Sequence, residues 1–273
     1  MLDSVPAVCL FTRLRVLSLS VEPALDGQLD LAALQPLSAL EHLECGAWEL
    51  VKMTAGTVLP QLKLVEFWDL NMLEIDAALP SLQRLDVSDV ESFRLEGEHL
   101  QLPQLSQLSF KHALVVTVDW RAMPQLAELS VVRCEDVTIT GLAALGRLTS
   151  LTMGWCHESW QSAHSVLQAA PPALRHLSCH VRGPSTLRED DWFPMPVLAS
   201  LQQLSSLVCR SPAIILDLGP QMQLQHLEFP WHSLMDLHVQ HLDMLYRLTT
   251  LRQLECGVSV QQSVAGHRLE VRG

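Results

Sequence analysis

Three stretches decide the fold: Leu59-Pro-Gln-Leu62-Lys-Leu-Val65-Glu-Phe67, Leu79-Pro-Ser-Leu82-Gln-Arg-Leu85-Asp-Val87 and Leu102-Pro-Gln-Leu105-Ser-Gln-Leu108-Ser-Phe110. Each repeats the form L-x-x-L-x-x-L-x-L, with other apolar residues replacing some leucines. The last two apolar positions are separated by one residue, so on a strand they share a face while the residue between them points away. The two earlier leucines tuck the incoming loop beneath the same core. Stacked coils of this kind pair their strands in parallel.

Outward from these stretches the pattern continues in both directions. Marking the first apolar residue of each L-x-L gives Leu17, Leu43, Val65, Leu85, Leu108, Leu129, Leu151, Leu177, Leu204, Leu227 and Leu254, with Leu207 as an alternative to Leu204. The marks fall 20 to 27 residues apart and make about eleven units, so residues 1–273 read as a single repeat solenoid. One coil alone loses more backbone entropy than its own buried side chains return, so the coils hold together only as neighbours.

Composition agrees. Of 273 residues 48% are hydrophobic and 18% charged, which excludes general disorder, and 53 are Leu against 6 Phe and 1 Tyr, so one apolar residue type is used repeatedly. Neither a membrane span nor a secretory signal is expected. Seven cysteines without a CxxC suggest neither a disulfide framework nor a zinc ribbon, and point to a reducing compartment, cytoplasmic or nuclear. The net charge of −12 is uneven: residues 1–136 carry 20 acidic and 9 basic side chains, residues 137–273 carry 10 and 9. With 3 Lys in the whole chain, nucleic acid is not an expected partner.

A second alternation follows the marks by eight and ten residues: Val51/Met53, Leu73/Ile75, Phe93/Leu95, Val116/Val118, Val137/Ile139 and Met235/Leu237. In the short coils between 65 and 151 it predicts a second short parallel strand opposite the first. The spacing over 159–169 and 233–246 predicts helical returns in the longer coils. The segment 183–196, with Trp192 and Phe193, reads as a projecting loop, open to partner contact or to an excursion packed on the coil.

The chain resembles leucine-rich repeat proteins over essentially its whole length. Its best unit, Leu126-Ala-Glu-Leu129-Ser-Val131-Val-Arg-Cys134-Glu-Asp-Val137-Thr-Ile139-Thr140-Gly141-Leu142, is similar to the cysteine-containing repeat of F-box substrate adaptors, and Cys156 falls at the same position one coil later. Other coils hold Glu22, Trp48, Val90, Ala113 or Arg182 there. An F-box needs its own stretch ahead of the first repeat, which begins by Leu14, so none is expected in this sequence, and no GxxxxGK occurs. The resemblance implies a β-rich α/β horseshoe with a parallel concave sheet and a convex side of short strands and helices. It also implies that a protein partner docks on the concave face.

That face can be written out. Its central column contains Glu44, Glu66, Asp86 and Glu228, its flanking column His42, Arg84, Glu128, His176 and His226, and its third column Trp68, Lys111 and His180. Glu44, Glu66 and Asp86 should stand on successive rungs about 4.8 Å apart, where like charges repel by roughly 1 kcal/mol per pair in water. Something should compensate them: a basic partner with Trp68 as anchor, or His42 and Arg84 on an ordinary solvated face. His176 and His180, four apart on a strand, are too far separated to chelate a metal comfortably, so no metal ligands and no cofactor are expected. Cys45, Cys179 and Cys256 read as small core residues, and Cys134 and Cys156 as turn residues meeting loop amides. No catalytic residue is expected. The module reads as a non-catalytic protein-binding surface or, alternatively, as the structural or substrate-recognition segment of a larger ubiquitin-ligase adaptor or immune-type receptor.

Overall fold

The computed structural model describes residues 11–20, 27–134, 136–138, 142–154, 170–180, 201–209, 223–229, 248–256 and 270–272. The chain forms two compact units, Met1–Arg147 and Leu148–Gly273. The expected helical returns at 159–169 and 233–246, the 183–196 segment, Cys156, Ile139, and the Met235/Leu237 pair lie outside the described residues.

In the first unit the strands are β1 (Val16–Ser20), β2 (Gln28–Asp30), β3 (His42–Met53), β4 (Leu64–Ile75), β5 (Arg84–Leu95), β6 (Gln107–Val118), β7 (Glu128–Val132) and β8 (Asp136–Thr138). They pair in parallel in the order β1-β3-β4-β5-β6-β7, with β2 on the far half of β3 and β8 on the far half of β6. The register joins the marks into one apolar ladder, Leu17, Leu43, Val65, Leu85, Leu108 and Leu129. All six side chains are buried. Burial of each contributes about 1.5–3 kcal/mol, available only once the next coil covers it.

The spacing of the two earlier leucines has a local cause. In Leu59–Leu62, Leu79–Leu82, Leu102–Leu105 and Met123–Leu126 the second backbone N–H donates to the carbonyl of the first at 3.2 Å, closing a tight turn. All eight side chains of these turns are buried.

The second strand is present, as the alternation predicts, but it directly continues the first instead of starting opposite it. Within β3, β4, β5 and β6 the two halves meet at a single corner residue with positive φ: Ala47 (60°), Asp69 (55°), Asp89 (54°) and His112 (54°); Arg133 (55°) marks the same corner after β7. A left-handed residue turns the chain without spending a loop, so a coil of some twenty residues has room for two strands. The residue after each corner points inward: Trp48, Leu70, Val90, Ala113 and Cys134 are all buried. Apolar side chains therefore fill this position in β3 to β6, and after β7 the Cys134 thiol donates to the Val132 carbonyl at 3.6 Å. Beyond the corner, Val51, Leu73, Phe93 and Val116 stand in register and are buried, and the Phe93 and Phe110 rings pack with centroids 5.1 Å apart.

The second unit contains β9 (Ser150–Gly154), β10 (His176–His180), β11 (Ser206–Cys209), β12 (His226–Phe229), β13 (Gln253–Cys256) and β14 (Glu270–Arg272), parallel in that order. The ninth mark is Leu207, in register with Leu177 and Leu227. Leu204 instead closes the preceding turn on Leu201, its N–H 3.0 Å from that carbonyl. Val208, the residue after this mark, thus stands in the outward column in register with Ser178. A further rung, β14, pairs Val271 in register with Leu254.

Candidate functional site

The outward face of the first strands carries the predicted column. Glu44 pairs in register with Glu66, and Glu66 with Asp86, as the spacing requires. The three carboxylates divide between two partners. Arg84 Nε donates to Asp86 Oδ2 at 2.6 Å along the same strand, which neutralises that rung. Glu44 and Glu66 share His42, whose Nε2 stands 3.4 Å from Glu44 Oε1 and 3.9 Å from Glu66 Oε1. That nitrogen is shut off from solvent and makes no hydrogen bond. His42, Glu44 and Glu66 each bring one potential ligand atom to within 4.8 Å of the others.

Trp68 forms one wall. Residues 44 and 46 share a face of β3, and the Trp68 indole lies over Gly46, where a Cβ would overlap its ring. Gly46 is buried because the indole covers it. The glycine is thus a seat for the aromatic ring, a role the sequence reading missed; its signal was a glycine directly across the ladder from a tryptophan.

The remaining predicted residues are more dispersed. Glu128, two strands beyond Asp86, is exposed and accepts a hydrogen bond from Gln107 Nε2 at 3.1 Å. In the second unit His176 is exposed, His180 closes β10, and His226 Nε2 stands 3.7 Å from Glu228 Oε2. His226-Leu227-Glu228 thus repeats the local His-x-Glu arrangement of His42-Leu43-Glu44. Beneath the acidic face, burial pushes the Cys45 thiol far up from its ordinary range, with the charge of Glu44 adding to the effect. That thiol is a packing group and no nucleophile. Missed as well was the corner ladder, in which His112 Nδ1 lies 2.8 Å from Asp89 Oδ1 and Arg133 Nη1 lies 3.1 Å from His112 Nε2.

Among the described residues no helix is long and apolar enough to cross a membrane. No family model matches the chain, and no curated protein matches it. Among solved structures it is similar to an internalin (inlF) from Listeria monocytogenes, 15% identical over 92% of this chain and 79% of that one, TM-score 0.37. It is also similar to the plant peptide hormone receptor RGFR1 in complex with RGF2, 14% identical over 97% of this chain and 46% of that one, TM-score 0.39. A third is the functional domain of InlJ from Listeria monocytogenes, 15% identical over 91% of this chain and 64% of that one, TM-score 0.35. The chain thus spans less than half of the plant receptor structure. In both units the strand register stacks the repeated leucine-bearing coils as a parallel β-solenoid.

Proposed function

We infer that the chain is a non-catalytic protein-interaction module whose first-strand face takes a cationic segment of a protein partner at Glu44 and Glu66. One observation carries this reading: Asp86 is already neutralised by Arg84, whereas Glu44 and Glu66 face each other across adjacent rungs with one shared histidine between them. Two carboxylates so placed repel, and a lysine or arginine entering between them relieves that repulsion. Trp68 beside them offers an aromatic surface for the aliphatic stem or cation of the same side chain. Arg84, Glu128 and the His176, His180, His226 and Glu228 positions supply further polar contacts along the first-strand faces of their own units.

The test is charge reversal. Glu44→Lys and Glu66→Lys, with Asp86→Lys as the third change, should abolish capture of the main partner from a native lysate, read by mass spectrometry, while the circular dichroism spectrum stays native. Unchanged capture would move the binding surface to residues 183–196.

A further inference from the structure

We propose that His42, Glu44 and Glu66 form a binding site for a zinc-class divalent metal ion, one that goes beyond the partner reading and does not depend on it. The donor set is one imidazole nitrogen and two carboxylate oxygens, which suits a borderline ion. Bonds of about 2.0–2.1 Å in a tetrahedron place neighbouring ligand atoms about 3.3 Å apart. His42 Nε2 stands 3.4 Å from Glu44 Oε1 and 3.9 Å from Glu66 Oε1, so small rotations of the two glutamates close the triangle. Three protein ligands leave a fourth position of the tetrahedron open.

The distances alone would describe a loose ion pair, and the molecule contains a contrast. Where a histidine of the same unit serves as an ordinary carboxylate partner, the contact closes to a hydrogen bond: His112 Nδ1 lies 2.8 Å from Asp89 Oδ1. His42 Nε2 instead lies between two carboxylates, out of contact with water and hydrogen-bonded to neither. Strand geometry explains the first carboxylate, since His226 and Glu228 show a similar 3.7 Å spacing. It does not explain the second, which comes from the next rung and turns a pair into a converging triad. A buried polar nitrogen without a hydrogen bond is costly, and so are two facing carboxylates; one bound cation removes both costs. The Trp68 indole over Gly46 walls the site on the side of Glu44 away from His42, and such a wall lowers the local dielectric.

The experiment uses the full chain, stripped with chelator and kept reduced, with zinc added against a chromophoric indicator. Wild type should bind one more equivalent than His42→Ala, or bind it at least about tenfold more tightly. Glu66→Gln, an isosteric change at a half-exposed position, should show the same loss if His42→Ala disturbs folding. Cobalt in place of zinc separates this site from the seven cysteines: its visible d–d absorption should weaken in both variants without loss of thiolate-to-cobalt charge transfer. Equal stoichiometry and affinity in all three proteins would overturn the proposal, as would calcium binding as tight as zinc and insensitive to His42→Ala. The partner is absent throughout, so this result stands apart from the charge-reversal test. If both proposals hold, zinc should also weaken capture of the cationic partner, because the two compete for the same carboxylates.

Discussion

The indole of Trp68 lies across the backbone of Gly46 on the neighbouring strand and fills the space that a side chain at position 46 would need. Gly46→Ala should therefore displace the ring and cost about 1–3 kcal/mol, the usual range for forcing extra volume into a packed site. In a Trp68→Ala background the same glycine substitution should cost almost nothing. Urea denaturation of the four proteins gives the coupling directly, and an equal effect of Gly46→Ala in both backgrounds would show that the indole is not seated there.

Ala47 is next in sequence and turns the corner of β3 at φ 60°. A left-handed conformation costs a Cβ-bearing residue roughly 1–2 kcal/mol, whereas glycine adopts it freely at some expense in unfolded-state entropy. Ala47→Gly should thus stabilise the protein by about 0.5–1 kcal/mol. The corner residues Asp69, Asp89 and His112 belong to types that tolerate this conformation better, so Asp89→Gly should gain less and also lose the contact to His112. A destabilised Ala47→Gly would contradict the corner geometry.

Cys45 sits in the core with its thiol held protonated by burial, and Cys134 and Cys179 are likewise buried. Alkylation needs the thiolate, so all three should resist iodoacetamide in native buffer and react when the chain unfolds, with a rate difference of roughly hundredfold or more at Cys45. Peptide mapping after timed labelling checks this residue by residue. Fast native labelling of Cys45 would mean that the β3 layer opens independently of its neighbours.

The ladder of marks from Leu17 to Leu129 was legible because a strand reports its buried face as alternation, and the tight L-x-x-L turn recurs with fixed spacing. The corner was not legible. Ala47, Asp69, Asp89, His112 and Arg133 share a backbone conformation but no single residue type, and Asp and His, which tolerate it, are common elsewhere in the chain, so the corner carries no repeated signal. The choice between Leu204 and Leu207 was open for a related reason: both are apolar, and only pairing with Leu177 and Leu227 separates a turn leucine from a strand leucine. At the candidate site the column of Glu44, Glu66 and Asp86 followed from the period alone. That Asp86 is paired with Arg84 while His42 stands between the other two depends on rotamers, which carry no periodic signal.

Glu41 links the entries of three strands, its carboxylate accepting from Lys63 Nζ at 2.8 Å and standing 3.5 Å from Arg15 Nε. The hydrogen bond from Lys63, then its charge, then that of Arg15, hold the Glu41 carboxyl below its ordinary range. A carboxyl lowered in the folded state stabilises the fold above its ordinary range, and that contribution fades as pH falls through the lowered value. Lys63→Met should therefore move the Glu41 titration upward, as followed by carboxyl carbon NMR. The stability gap between variant and wild type should be widest near neutral pH and vanish in acid. Because the pair is exposed, the gap should be small and should shrink further in high salt. A Glu41 midpoint unchanged by Lys63→Met would show that the two side chains do not hold each other in solution.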